Sequence, residues 1–330
     1  MLSNNKTILS TDENCYICKA QIVKSHFFYQ HLCPSCGDYN YRKRFQKADL
    51  CGYTALVTGG RIKIGYETAL KLLRNGANVI VTTRFPKNAL LRFSKENDYT
   101  DWQNRLDIYG IDLRHIKSVN HFIKYILYKT KKLDIIINNA AQTVRRPPIF
   151  YKHLIDEELS INNQQIEALN KLCEPINHDS LQEVSQIEEM KTFFPIIPIN
   201  INNSALLSQI PILDGDEITE SEFFPLDQFD KDGQQEDRRP INSWMLKLED
   251  VDLMEFFEVL YINLIAPFLF NSKLKNLLIQ NYRPSFIINV TAMEGNFYNP
   301  DKSEKHVHTN MAKAALNMMT RTSAQDYSKD

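Results

Sequence analysis

Residues 53–65 read YTALVTGGRIKIG: an apolar, β-prone run, Tyr53 to Thr58, meets Gly59-Gly60, and helical spacing takes over before Tyr66. A buried strand that stops at glycines and restarts as a helix gathers unpaired backbone N–H groups and the positive end of a helix dipole at one point, where a pyrophosphate can be held. Tyr66 to Arg74 keeps the helical spacing and stops at Asn75-Gly76, a helix-ending pair. Asn78–Thr83 (NVIVTT), Asp107–Asp112 and Leu133–Ile137 (LDIII) read as further strands, with Val119–Tyr128 as a helix between the last two. Farther on, Leu253–Lys275 reads as one long helix, Ser285–Val290 (SFIINV) as a strand and Met311–Asp326 as an amphipathic helix. Strands and helices alternating at this pace imply βαβ crossovers, so the expected fold class is α/β: a doubly wound parallel sheet with helices on both faces.

The 330 residues carry 39 Lys+Arg against 40 Asp+Glu, a net charge of -1. Neither a chain-wide basic surface for nucleic acid nor an acidic tail therefore sets the function. Uninterrupted apolar runs such as Leu133–Ile137 and Pro284–Val290 fall short of the ~20 residues that span a membrane. The start, MLSNNKTILSTDENC, lacks the basic and apolar regions of a secretory signal. A soluble, cytoplasmic protein without a membrane partner is expected. The balanced charge hides a local excess: between Asp156 and Ser243 stand nineteen carboxylates against five Lys+Arg. This composition struggles to offset ordering entropy. Residues 156–243 are expected to be an acidic insertion, partly disordered and packed through the apolar islands Phe193–Ile201 and Phe223–Phe229.

Four of the six cysteines crowd the start as Cys15-x2-Cys18 and Cys33-x2-Cys36, with fourteen residues between the pairs. Two such knuckles complete a tetrahedral thiolate site for Zn²⁺ with no open position, which makes the metal structural. A zinc-ribbon-like module is expected over residues 1–47, with His26 and His31 as spare ligands. Its aromatic insert HFFYQHL (26–32) could dock on the neighbouring domain or on a protein partner. Arg42, Lys43 and Arg44 are expected to be a solvated linker, and nucleic acid is not an expected partner.

The glycine-rich turn gains meaning from motifs farther along the chain. Asn138-Asn139-Ala140-Ala141 ends the fourth strand, and Asn263 stands in YINLIAPF. Asn289-Val290-Thr291-Ala292 ends the next strand, and Lys313 stands in MAKAAL. In this order the set resembles the short-chain dehydrogenase/reductase family, over about Leu50–Tyr151 and Lys247–Asp330. The resemblance implies a Rossmann-type fold formed by residues 48–155 and 244–330 and a nicotinamide dinucleotide as cofactor. It assigns Thr58, Gly59, Arg61, Lys63, Ile64 and Gly65 to the phosphate-binding turn, with Lys63 where a glycine is usual. It places Asp112 near the adenine and Asn138, Asn139 and Ala140 on the adenosine side. Arg84 comes just after the second strand, where an acidic residue would bind the ribose of NAD(H). Arginine there pairs with a 2′-phosphate, so NADP(H) is expected over NAD(H).

The family's proton donor is a tyrosine four residues before the lysine, supported by a serine and an asparagine. Lys313 and Asn263 match the lysine and asparagine, but the tyrosine position is Thr309, and Thr291 is the nearest hydroxyl to the serine position. An aliphatic hydroxyl is a far weaker acid than a phenol of pKa ~10, so Thr309 does not replace it directly. His308, Tyr298 or a water held by Thr309 and Lys313 are the alternatives, with His306 and His308 read as exposed loop residues. Only seventeen residues come after Lys313, where the family continues into another strand and a substrate-covering segment. That shortfall implies a fragment, or nucleotide binding without turnover. The expected function is an NADP(H)-dependent oxidoreductase acting on a carbonyl or alcohol, homo-oligomeric, with Lys313, Asn263, Thr309 and Thr291 at the reacting centre. The alternative is an inactive NADP(H)-binding scaffold or sensor that engages partners through the ribbon or the acidic insertion.

Overall fold

The structure, a computed structural model, describes residues 13–161, 204–217, 222–280, 283–298 and 302–329. Two compact units divide the chain, Met1–Asp49 and Leu50–Asp330. In the first, an antiparallel bridge between Asn14 and Gln21 closes the first cysteine knuckle. Helix α1 (Pro34–Arg44) grows out of the second, with Pro34 at its first position. Arg42, Lys43 and Arg44 form the last turn of α1, where their charge complements the carbonyl end of the helix; they are not the linker expected from sequence. Among the described residues the buried apolar cluster here is Cys15, Ile22 and Leu32, with Tyr29, Cys33 and Cys36 packed against it.

The second unit is built on five parallel strands: β1 (Thr54–Thr58), β2 (Asn78–Thr83), β3 (Leu106–Gly110), β4 (Ile135–Asn138) and β5 (Phe286–Asn289), in the order β3-β2-β1-β4-β5. The order reverses at β1, whose Ala55 pairs with Val79 on one side and Ile135 on the other. In a doubly wound sheet that switch point is where a nucleotide binds. Alternation along the strands splits the core. Ala55, Val57, Val79 and Val81 pack against α2 (Lys63–Arg74) and α3 (Pro86–Ser94) through Leu70, Leu73, Leu90 and Phe93. On the other face Leu56, Ile80 and Ile136 meet Phe122, Ile123 and Ile126 of α4 (Ile116–Lys129). Burying each such side chain stabilises by roughly 1.5–3 kcal/mol. The start of β1 is pinned by Asp134, which is fully buried, accepts from the Thr54 amide at 2.7 Å and pairs with Arg283 Nε at 2.9 Å.

Three more helices complete the frame: α5 (Lys152–Ser160), α6 (Leu253–Lys273, with a π turn at Tyr261–Ile265) and α7 (Val307–Tyr327). By length and composition α6 is apolar enough to cross a membrane, a property that the short uninterrupted apolar runs did not reveal. It nevertheless buries Glu255, Glu258 and Asn263, and its Ala266 and Phe270 belong to the sheet's core.

The acidic insertion folds back where it is described. Ala205 and Phe224 are buried with Phe85, Phe150, Tyr151, Leu154 and Ile155 in a third apolar cluster beyond the strand ends. Asp216 pairs with Arg145, and Asp237 with Arg146 and Arg239. Of the island Phe223–Phe229, Phe223 and Phe224 pack as expected while Leu226 and Phe229 are exposed; Phe193–Ile201 lies outside the described residues. Glu158 of α5 is buried nearby and accepts from the Asn88 amide at 2.7 Å, yet burial outweighs that bond and lifts its acid to about 7. A carboxyl with a raised folded pKa loses stability as pH climbs from its unfolded value near 4.5 to 7. Glu158→Gln is therefore expected to be more stable than the parent by about 3 kcal/mol at pH 8 and nearly equal to it at pH 5. Urea midpoints at the two pH values check this, and the same difference at both would refute it.

Candidate functional site

The turn after β1 has the geometry a phosphate cradle needs. Gly59 sits at φ +67, and a Cβ there would lie 2.9 Å from Ala140 Cα; one on Gly65 would lie 2.3 Å from the Gly59 carbonyl. Lys63 occupies the left-handed region at φ 55, so a lysine here accepts a backbone strain that glycine would avoid. Neither a capping side chain nor an acidic first-turn residue blocks the start of α2, whose N-cap is Ile62. Thr58 Oγ1 accepts from the Asn139 and Ala140 amides at 3.0 Å each, and Asn139 Nδ2 donates back to the Thr58 carbonyl at 3.1 Å. These bonds lock the end of β1 to the end of β4. Asn138 turns inward instead, donating to Asn271 and Asn289 at 2.8 Å each, while Ile64 points outward.

Positive charge gathers beside this turn. Arg61 is buried, donating to Asn88 Oδ1 at 2.9 Å and Gln234 Oε1 at 2.8 Å, with its guanidinium 5.3 Å from the Phe85 ring centre. Arg84 lies over Tyr151 at 4.4 Å and Phe85 at 5.3 Å. Arg92 donates to the Asp232 carbonyl. Among the described residues none of these three arginines has a carboxylate within ion-pair distance. Burial, then the cations Arg92 and Arg84, push Arg61 down to about 9. Guanidinium groups that make no ion pair among the described residues suit a phosphate. Lys63 Nζ stands 3.9 Å from Asp230 and 3.8 Å from Asp232 of the insertion.

Asp112, expected near the adenine, is buried and has both carboxylate oxygens engaged by Arg114, at 2.7 Å to Nη2 and 3.1 Å to Nε. Arg114 also donates to Glu258 at 2.8 Å. Glu258 in turn accepts from Arg145 Nε at 3.0 Å and Gln142 Nε2 at 3.1 Å. Asn263 then closes on the Gln142 backbone, accepting from its amide at 2.8 Å and donating to its carbonyl at 2.9 Å. One buried network thus ties Asp112, the loop after β4 and Asn263 together. Sequence reading missed Arg114, Gln142 and Glu258, which carry no local motif.

At the other end of the site, Lys313 is buried on α7 and donates to the Val290 carbonyl at 2.7 Å; burial lowers its pKa. Thr309, one turn earlier, is buried with Oγ1 lacking a hydrogen-bond partner among the described residues. Thr291 is exposed in the loop after β5. Tyr298 is 93% exposed, and no contact places its phenol at Thr309 or Lys313. Of the two histidines read as exposed loop residues, His306 does stand in the loop before α7, half-buried, whereas His308 does not. His308 lies in α7, buried with Nε2 3.5 Å from Glu255. Burial pushes the Glu255 acid up, but hydrogen bonds to His308 and Ser243 outweigh it and hold Glu255 below its usual range. His306 stacks on Trp244 with ring centres 4.0 Å apart.

In the N-terminal unit the ligand atoms of Cys15, Cys18, Cys33 and Cys36 lie within 4.8 Å of one another, with Cys18 and Cys33 Sγ at 3.8 Å. Tetrahedral Zn–S bonds of about 2.3 Å place sulfurs about 3.8 Å apart. The four thiols can hold a metal ion. The histidines are occupied elsewhere: His26 Nδ1 accepts from the Phe28 and Tyr29 amides, and His31 Nδ1 lies 3.0 Å from Glu13.

A doubly wound parallel sheet with a glycine-rich turn and a cluster of arginines at its switch point defines a Rossmann-type, nucleotide-binding fold. Residues 53–166 match the family model described as short chain dehydrogenase. The chain is 34% identical over 324 residues to the uncharacterized protein R665 of Acanthamoeba polyphaga mimivirus, an alignment covering 96% of this chain and 60% of that one. With retinol dehydrogenase 13 of Mus musculus it shares 33% identity over 95 residues, 29% of this chain and 28% of the relative. Among solved structures, a metagenomic short-chain oxidoreductase in complex with NADP aligns over 86% of this chain and 78% of its own, at 16% identity and a TM-score of 0.49. Over residues 53–166 the chain is a member of the short-chain dehydrogenase/reductase family, and it spans less than two thirds of the length of either curated relative.

Proposed function

We propose that this chain is an NADP(H)-dependent oxidoreductase interconverting a small-molecule carbonyl and its alcohol, with a structural Zn²⁺ on Cys15, Cys18, Cys33 and Cys36. The observation that carries the cofactor reading is the group of guanidiniums, Arg61, Arg84 and Arg92, that make no ion pair among the described residues beside the Thr58–Gly65 turn. An NAD(H) site would need an acceptor for the ribose hydroxyls at the position of Arg84. When bound, the nicotinamide supplies or accepts the hydride. The residues of this chain bind and orient: the turn and the start of α2 hold the phosphates, Asn139 and Ala140 support the adenosine side, and Lys313 holds the nicotinamide ribose. Asn263 fixes the Gln142 loop, and Thr309 and Thr291 border the carbonyl site.

A second reading, binding without turnover, rests on Thr309. Its buried hydroxyl lacks the acidity of the phenol that the family uses, and no other phenol is placed beside Lys313. Titration of the full chain with NADPH, followed by nicotinamide fluorescence, tests binding; loss of NADPH absorbance across a panel of carbonyls tests turnover. Arg84→Asp is expected to weaken NADPH by at least about tenfold, the loss of one charge-assisted phosphate contact, while NADH is not weakened. An equal effect on both cofactors would remove the NADP(H) preference, and binding without turnover would decide for the scaffold.

A further inference from the structure

We propose that the acidic insertion forms one wall of the cofactor's 2′-phosphate subsite, and that Gln234 is a specificity-determining positioning residue there. This deepens the NADP(H) reading and rests on it.

Gln234 stands 173 positions from Arg61, yet its Oε1 accepts from Arg61 Nη2 at 2.8 Å, with both side chains buried. Asn88 Oδ1 takes Nη1 at 2.9 Å. The guanidinium is thus fixed in place by two amide oxygens, acceptors that orient it without cancelling its charge. That choice stands out in a segment where carboxylates outnumber basic residues nineteen to five.

The loop that delivers Gln234 is built to hold it. Asp230 Oδ1 accepts from the Asp232 and Gln234 amides at 2.9 Å each, and the Asp230 amide donates to the Gln234 carbonyl at 2.8 Å. Gly233 makes the turn at φ +69, and the Asp232 carbonyl accepts from Arg92. Gln235 Nε2 donates to the Pro225 carbonyl at 2.6 Å, next to buried Phe224. The nearby carboxylates are used for the loop's own amides or face Lys63, 3.8–3.9 Å away, and none reaches Arg61. A surface loop that merely solvated its acids would have no cause to bury a neutral amide on a buried arginine. A loop that walls a phosphate subsite must do so, because a carboxylate there would neutralise the cation and repel the ligand.

The test uses 2′,5′-ADP and 5′-AMP as probes, bound to the full chain and followed by calorimetry, so no turnover is needed. The two ligands differ by the phosphate on the 2′ oxygen. Gln234→Glu, nearly isosteric, is expected to weaken 2′,5′-ADP about tenfold, a change of one charge next to the phosphate, and to leave AMP unchanged. Gln234→Met keeps the bulk without a charge and is expected to give a smaller loss in the same direction. Thermal melts establish that both variants fold. Equal losses on the two ligands, or no loss for Gln234→Glu, would overturn the role of Gln234 while leaving the NADP(H) reading intact. A parent chain that binds AMP as tightly as 2′,5′-ADP would overturn both.

Discussion

Replacing Glu258 by alanine is expected to destabilise the unit Leu50–Asp330 by about 3–5 kcal/mol, the cost of removing one member from a buried ionic network. Glu258 is 4% exposed and accepts three bonds from side chains of different segments: Arg114 after β3, Gln142 after β4 and Arg145 three residues further on. Charge alone does not set the cost. Without Glu258, Arg114 still has Asp112 and Arg145 still has Asp216, so each cation keeps a counter-ion. What is lost is the acceptor for three donors in a site too closed for water to replace it, plus the cavity of the missing side chain. Glu258→Gln, which keeps an acceptor oxygen and the volume, is expected to cost less than half as much. Urea unfolding followed by Trp102, which is buried at 2% exposure, measures both. Because Gln142 is held by Glu258 on its side chain and by Asn263 on its backbone, the alanine variant is also expected to weaken NADPH. Equal destabilisation by the two variants would mean that net charge, not acceptor geometry, governs the network.

The fold was legible because its determinants are local. A strand such as NVIVTT and a helix ending at Asn75-Gly76 are decided within a dozen residues, and β1 to β5 lie within a residue or two of the expected positions. The cysteine head was legible for the same reason, since its ligands come as two CxxC pairs. What was hidden depends on distant partners. Arg84 could be named from its place after β2, but nothing near Arg61 in sequence announces Gln234, and nothing near Asp112 and Arg114 announces Glu258, 144 positions from Arg114. His308 was misjudged because its neighbours in sequence are polar, while its packing partner Glu255 lies on another helix. How the described part of the acidic stretch packs was hidden for a related reason. Its composition does not count Arg145 and Arg146, which stand before it in sequence and pair with Asp216 and Asp237 after folding. The long helix α6 shows the reverse error: its apolar residues are interrupted by Glu255, Glu258 and Asn263, which are buried rather than exposed.

Removing the metal from the cysteine cluster is expected to unfold the described part of the N-terminal unit while leaving Leu50–Asp330 folded. The physical ground is the size of the core. Cys15, Ile22 and Leu32 are its buried apolar residues, and α1 is its one helix among the described residues. An eleven-residue helix does not hold in water by itself. Three buried side chains contribute several kcal/mol at most, against an ordering cost of about 1–2 kcal/mol for each residue fixed. A tetrahedral thiolate site contributes about 10–16 kcal/mol on binding zinc, enough to close that gap. Without the ion the cluster is split: backbone hydrogen bonds from Cys33 and Cys18 bring Cys15 down to about 6, whereas burial and then hydrogen bonds from Cys33, Cys18 and Cys15 push Cys36 up to about 12, so that ionisation of Cys36 awaits a cation. Hydrogen exchange of the full chain with and without a strong chelator separates the outcomes. Amides of residues 13–45 are expected to lose protection, and those of β1 to β5 to keep it. Both tryptophans, Trp102 and Trp244, lie in the second unit, so intrinsic fluorescence should stay constant through the chelation. Cobalt(II) added back should restore protection and give the intense visible bands of a tetrahedral thiolate site. Protection that survives chelation, in a preparation shown to have lost its metal, would make the cluster a set of buried thiols that packs without an ion.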